Sequence, residues 1–86
     1  MITNKPYKYA SEVNAMFMNK EDALNDRKLF VHNLGVLLAQ TREHVISAEL
    51  DDNEIVTITY NNGYIEQVNV NLDSYTAIIR DVVKHI

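Results

Sequence analysis

The amino-acid sequence predicts a small α+β domain, in which a short helix and a long helix precede a three-stranded antiparallel meander and a final helix. Three patterns predict this fold class. Apolar residues recur at helical spacing in residues 20 to 43, alternate with polar residues in residues 45 to 70, and return to helical spacing from residue 75 onward. Helices beside an antiparallel meander are typical of a two-layer domain. We find no linker or repeat, and take residues 1 to 86 as one domain.

Residues 1 to 9 are expected to form an extended lead-in, because Pro6 disfavours the helical conformation at Lys5. A short helix with Ser11 as its N-cap should follow. Its apolar side consists of Val13, Met16 and Phe17.

A long helix is predicted from Lys20 to about Glu43. At about 100° per residue, its core face consists of Ala23, Leu24, Phe30, Val31, Leu34, Leu37, Leu38 and Thr41. A second apolar stripe, called the back stripe below, lies roughly opposite and consists of Leu29, His32, Val36 and Ala39. Gly35 lies beside the back stripe. A glycine inside a helix costs about 1 kcal/mol in helix propensity and allows another backbone to approach closely.

The apolar back stripe must be buried by another segment, and there are two candidates for that segment. Residues 7 to 18 carry aromatic and apolar side chains that could fold over it, or a second copy of the chain could pack against it. We favour the second copy, because small domains without disulfides often gain stability by oligomerisation. The predicted homodimer interface consists of Leu29, His32, Gly35, Val36 and Ala39.

Two strands are predicted before the hairpin loop. Residues 45 to 50 alternate, which assigns Ile46, Ala48 and Leu50 to the core side. Residues 54 to 60 alternate likewise, and their core side consists of Val56, Ile58 and Tyr60. In the alternative interpretation the long helix continues to about Glu49, which leaves only a two-stranded hairpin.

The loop over residues 61 to 63 sets the register of the hairpin. Gly63 stands where a three-residue loop needs a residue in the left-handed conformation. This register pairs Tyr60 with Tyr64 and Val56 with Val68, which places apolar side chains opposite one another. A two-residue turn would set Val56 opposite a polar residue, so we predict the three-residue loop.

The final helix is predicted to have Asp73 as its N-cap. Its apolar face consists of Tyr75, Ile78, Ile79, Val82, Val83 and Ile86.

Composition and motifs argue against catalysis. The chain has no cysteine and only two glycines, Gly35 and Gly63, so it lacks a cysteine nucleophile and a glycine-rich phosphate loop. His32 and His44 would lie about 120° apart around a helix, too far to converge on a metal ion. The acidic turn over residues 51 to 54 lacks the central glycine of an EF-hand. We therefore predict that the protein is not an enzyme and has no catalytic residues, metal ligands or cofactor.

The predicted order of elements resembles that of double-stranded-RNA-binding domains. Such domains use basic residues near the start of their last helix, where this chain has Asp73, Ser74 and Tyr75. The net charge is −4, and nucleic-acid binding depends on basic surface. We therefore expect no direct binding to nucleic acid. The polar start of the chain and the lack of a long apolar run predict a cytoplasmic protein without membrane contact.

The sequence thus predicts a non-enzymatic interaction module that forms a homodimer. Ten of the 86 residues are Asn, which has AT-rich codons, so a bacterial or prophage origin is expected. The second hypothesis is a phage-type inhibitor or regulator that binds a host protein through an acidic surface. Its candidate contact residues are Asp51, Asp52, Glu54, Tyr60 and Tyr64. The third hypothesis is a small enzyme with a site at a dimer interface.

Overall fold

The structure, a computed structural model, describes residues 20 to 86; the predicted lead-in and short N-terminal helix lie outside them. In chain order its elements are α1 (Lys20–Thr41), β1 (Val45–Leu50), β2 (Ile55–Tyr60), β3 (Ile65–Asn69) and α2 (Tyr75–Val83). The strands form one antiparallel sheet in the order β1-β2-β3. The α+β class is confirmed, and residues 45 to 50 form a strand rather than an extension of the long helix.

Both helices cover the same face of the sheet and run in the same direction. β1 and β3 are parallel to each other because each is antiparallel to β2. Short connections make each helix antiparallel to the strand that it adjoins, so α1 and α2 are parallel. The helices meet at Phe30 and Tyr75, whose ring centroids are 4.6 Å apart.

The core lies between the sheet and the helices. Its fully buried large side chains are Val31, Val56, Ile58, Val70, Ile78 and Val82. Burial of such a side chain contributes about 1.5–3 kcal/mol. The alternation predicted for β2 is confirmed, since Val56, Ile58 and Tyr60 are buried and the residues between them are half-exposed. The outer face of the sheet is mostly polar.

A bulge in β1 reverses part of the predicted alternation. Val45 pairs with Tyr60 and Ser47 pairs with Thr59, so Ile46 is an extra residue in the ladder. Val45 is 3% exposed, whereas Ile46 is 53% exposed. The prediction that placed Ile46 in the core is therefore wrong, because the bulge shifts the face of every residue before it.

Gly35 faces the sheet rather than the back of α1. A Cβ atom at this position would lie 2.5 Å from the backbone nitrogen of Ala48 and 3.0 Å from its carbonyl oxygen. The close approach that a mid-helix glycine allows is therefore made to β1 of the same chain. As a result α1 is rotated relative to the predicted core face, and Leu37, at the far edge of that face, is 60% exposed.

The hairpin has the predicted register. The Tyr60 N–H donates to the Tyr64 carbonyl at 2.9 Å, and the Gly63 N–H donates to the Tyr60 carbonyl at 3.0 Å. Val56 pairs with Val68. Gly63 has a φ of 88°, in the left-handed region that glycine adopts without strain.

α2 begins one residue later than predicted. Its N-cap is Ser74, whose hydroxyl accepts a hydrogen bond from the Ala77 N–H at 3.1 Å, so the assignment of Asp73 as the cap is wrong. On the predicted apolar face Ile78 and Val82 are buried. Tyr75 and Ile79 are 46% and 41% exposed.

Substitution of Gly35 by Ala should lower the free energy of unfolding by about 1–3 kcal/mol, because the added methyl overlaps the Ala48 backbone and α1 must move away from β1. Helix propensity alone would predict the opposite sign. The control is Asn33→Ala at an exposed position of the same helix, which should be neutral or stabilising. Urea denaturation measures both. Equal stability of the two variants would contradict the close packing at Gly35.

Candidate functional sites

Arg27 joins three parts of the fold. Its side chain is 17% exposed, and its Nη2 lies 2.7 Å from Glu54 Oε1. Nη1 donates to the Asp73 carbonyl at 2.6 Å and Nη2 donates to the Val70 carbonyl at 2.9 Å. α1 is thereby tied to the turn before β2 and to the loop before α2. A signal for this role exists in the sequence, since position 27 is a charged residue inside the predicted apolar arc of α1.

The predicted acidic contact surface is largely engaged within the chain. The Asp51 carboxylate accepts from the backbone N–H groups of Asn53 and Ile55, at 2.8 and 3.0 Å. Asp52 pairs with Lys28, and Glu54 pairs with Arg27. These acids stabilise the turn and hold it against α1, which leaves less of their charge available to a partner.

A groove of about 650 Å³ lies where α1 passes this turn. Its charged lining includes the Arg27–Glu54 and Lys28–Asp52 pairs. Because each of these cations already has a carboxylate partner, the groove offers less unpaired charge than its composition implies.

The predicted dimer residues separate in the structure. Leu29 and Val36 are 60% and 45% exposed. Ala39 is half-buried and Gly35 is buried against β1. His32 is held by Glu49 of β1, with 2.8 Å between Nδ1 and Oε2. The back stripe is therefore narrower than predicted, and its role in self-association stays a prediction.

A second cleft, called the hairpin-tip cleft below, lies at the opposite end of the sheet and has a volume of about 310 Å³. It is lined by His44, Tyr60, Asn61, Asn62, Tyr64, Glu66, His85 and Ile86. The lining residues come from the turn before β1, from the hairpin and from the residues after α2. Of these, the sequence had singled out only the two tyrosines as contact residues.

Three rings stack along one wall of the hairpin-tip cleft. The Tyr60 ring lies 5.6 Å from the His44 ring and 5.8 Å from the Tyr64 ring. β2 is the central strand, so His44 and Tyr64 flank Tyr60 from opposite sides. The predicted Tyr60–Tyr64 pair is confirmed, but Tyr60 is only 6% exposed whereas Tyr64 is 61% exposed. Of the two, Tyr64 alone presents a large surface to solvent.

Hydrogen bonds fix the buried ring. The Tyr60 hydroxyl donates to Glu66 Oε1 at 2.9 Å and lies 3.2 Å from the His85 carbonyl oxygen. Burial, with the hydrogen bond to Glu66, raises the pKa of Tyr60 to about 12. His85 Nδ1 lies 2.7 Å from the Asp81 carbonyl, which only accepts hydrogen bonds, so Nδ1 carries the proton. The arrangement fixes the positions of Glu66 and His85 around the cleft.

A pair of carboxyl groups lies beside α2. The carboxyl group of Asp81 interacts with that of Asp73, which raises the pKa of Asp73 and lowers that of Asp81. Arg80 Nε lies 3.1 Å from Asp81 Oδ1 and favours its charged form. The interaction connects the loop before α2 with α2 itself.

Within residues 20 to 86, no group of three or more His, Cys, Asp or Glu side chains is placed to hold a metal ion. None of the helices in that part of the chain is long and apolar enough to span a membrane.

No protein-family model matches the chain, and it matches neither a curated protein nor a solved structure.

Replacement of Arg27 by Lys should lower the free energy of unfolding by about 1–3 kcal/mol, because one ammonium group cannot satisfy three acceptors arranged around a planar guanidinium. Arg80→Lys is the matched control, since Arg80 is 68% exposed and its ion pair within residues 20 to 86 is with its neighbour Asp81 in α2. Its expected effect is close to zero. Equal losses in urea denaturation would show that Arg27 has no special structural role.

Replacement of Tyr60 by Phe should lower the free energy of unfolding by about 1 kcal/mol below pH 10, because the partly buried Glu66–Tyr60 hydrogen bond is lost. The pKa of Tyr60 rises from 10.0 to about 12 on folding, so its contribution is complete below pH 10 and is lost as the pH rises through 12. The difference between wild type and Tyr60→Phe should therefore shrink above pH 10.

Tyr64→Phe is the control for this measurement, since the Tyr64 side chain is exposed. Urea denaturation at several values from pH 8 to pH 11 follows all three proteins. A constant difference across that range would contradict the assignment of the raised pKa to Tyr60.

Proposed function

We propose that the protein is a non-enzymatic interaction module that binds a partner protein through the hairpin-tip cleft. The observation that carries this proposal is the exposed Tyr64 ring, stacked on a buried ring that hydrogen bonds hold in place. An aromatic side chain supported in this way offers contact area without much loss of conformational entropy on binding. Tyrosines in such positions are frequent hot spots of protein interfaces.

The chemistry of the cleft favours binding over catalysis. Among residues 20 to 86, Tyr60 and Tyr64 are the only hydroxyl-bearing side chains of its lining, and the sequence contains no thiol. The pKa of about 12 disfavours the phenolate form of Tyr60 that a nucleophile or base would need. A small enzyme with a site at a dimer interface, the third hypothesis, therefore has less support than a binding module.

The partner that we propose is a host protein of a bacterium with an AT-rich genome, and the protein would act as its inhibitor or regulator. The acidic turn has a smaller part in this proposal than the sequence suggested. Asp51 and Glu54 are bonded within the chain, whereas Tyr64 is exposed. We therefore propose Tyr64 as the main contact with the partner and the acidic turn as a secondary contact.

The test is capture of a partner from such a bacterial lysate on the immobilised full chain. Wild type should retain one stoichiometric protein, and Tyr64→Ala should lose it. Gln67→Ala is the matched control: Gln67 is exposed on β3 and points to the outer face of the sheet, away from the cleft. Retention by Tyr64→Ala, or equal loss with Gln67→Ala, would contradict the proposal.

Self-association is the second candidate function, and the structure offers a different surface for it from the back stripe. Leu37 of α1 and Tyr75 and Ile79 of α2 are 60%, 46% and 41% exposed. The contact between Phe30 and Tyr75 places them along the seam of two parallel helices. We call Phe30, Leu37, Tyr75 and Ile79 the interhelical patch. Exposed apolar patches of this kind often mark protein interfaces.

Light scattering of the full chain over a concentration series tests self-association. If the interhelical patch is the interface, Ile79→Lys should convert a dimer near twice 9.9 kDa into a monomer, while Val36→Lys on the back stripe leaves the dimer intact. The opposite result would support the back stripe. A monomeric wild type would exclude both interfaces.

A further inference from the structure

The hairpin-tip cleft combines an exposed aromatic ring with a carboxylate. We propose that it binds the guanidinium group of an arginine side chain on the partner, an inference that rests on the proposed function and names the chemistry of its ligand. The exposed Tyr64 ring supplies a stacking surface and Glu66 supplies a carboxylate beside it. Guanidinium groups both stack on aromatic rings and bind carboxylates through two parallel hydrogen bonds.

Charge supports a cationic ligand. Within residues 20 to 86, Glu66 is the only acidic side chain that lines the cleft, and no Lys or Arg lines it; its basic side chains are His44 and His85. The net charge of the chain, −4, adds a long-range attraction for positive groups. The same charges disfavour a phosphate-bearing ligand such as a nucleotide.

The geometry of Glu66 prepares it for this role. Its Oε1 atom accepts the hydrogen bond of the buried Tyr60 hydroxyl, which fixes the carboxylate before a ligand arrives. Each carboxylate oxygen has two lone pairs, so Oε1 and Oε2 retain capacity for the two donors of a guanidinium edge. A preorganised acceptor strengthens binding because less entropy is lost when the complex forms.

The size of the cleft argues for one side chain rather than a cofactor. Its volume of about 310 Å³ is at the lower limit of small-molecule sites, which span about 300–1,000 Å³. The loop leaves the entrance open, because the Asn62 side chain is turned to its own backbone and accepts from the Tyr64 N–H at 2.9 Å. Tyr64 and Glu66 both line the cleft, so in the proposed complex one arginine side chain contacts both.

The experiment is a titration of the full-length ¹⁵N-labelled protein with the blocked tripeptide acetyl-Gly-Arg-Gly-amide, followed by NMR. Saturable shifts are expected at the amides of Asn62, Gly63 and Tyr64. The same peptide with citrulline in place of arginine is the matched control, since citrulline keeps the shape and removes the charge. A lysine peptide tests the planar geometry. Both controls should bind at least about tenfold more weakly than the arginine peptide.

Glu66→Gln keeps an acceptor for the Tyr60 hydroxyl and removes the negative charge. It should lower the affinity for the arginine peptide by about tenfold, while the rest of the NMR spectrum stays unchanged. Equal binding of citrulline would overturn the proposal, and so would equal binding of lysine. Shifts of the same amides by a short single-stranded oligonucleotide, without any by the arginine peptide, would overturn it in favour of base stacking on Tyr64.

The two proposals fail separately. If Tyr64→Ala loses the captured partner but the arginine peptide does not bind, the docking function stands and the guanidinium assignment is wrong. If the peptide binds wild type but partner capture is unaffected by Tyr64→Ala, the cleft binds arginine and the proposed docking function is wrong.

Discussion

The contact between Gly35 and Ala48 is the constraint on which the rest of the fold depends. It brings the backbone of the long helix onto β1 at a distance that no side chain allows. This close approach determines the rotation of α1, which in turn determines the residues that reach the sheet. Val31 and Leu38 enter the core from the same side of the helix as Gly35. The exposure of Leu37, at the far edge of the predicted core face, is the consequence.

The same rotation brings Arg27 and Lys28 into contact with the turn between β1 and β2. Arg27 binds Glu54 and the carbonyl groups beyond β3, and Lys28 binds Asp52. A buried guanidinium is costly unless its donors are satisfied. Here a carboxylate and two carbonyls bind the two terminal nitrogens, and these contacts fix the position of the loop before α2. Within residues 20 to 86 the buried Nε atom has no hydrogen-bond partner. Apolar packing therefore holds α1 against the centre of the sheet, and polar contacts hold it against the turn and the loop at this end.

The sequence predicted those features that short-range rules determine. The hairpin register followed from Gly63 and from the pairing of Val56 with Val68, since a one-residue slip would have reversed the buried face. The bulge at Ile46 could not be predicted, because alternation carries no mark of an extra residue. The cap moved from Asp73 to Ser74 because both residue types cap helices and only tertiary contacts decide between them. The sequence predicted that Gly35 allows a close approach of another backbone, but the periodicity assigned that approach to a second copy of the chain rather than to β1.

The sequence predicted the two tyrosines of the hairpin-tip cleft but not the rest of its lining. Adjacent tyrosines could be predicted from the register, but the contribution of His85 depends on the packing of α2 against the sheet. That packing buries Tyr60 and leaves Tyr64 outside, so two residues of the same type acquire different roles. Tyr60 holds Glu66 through its hydroxyl and supports Tyr64 through its ring. The core thus extends to the rim of the cleft, and the proposed contact surface is ordered by the same interactions that stabilise the fold.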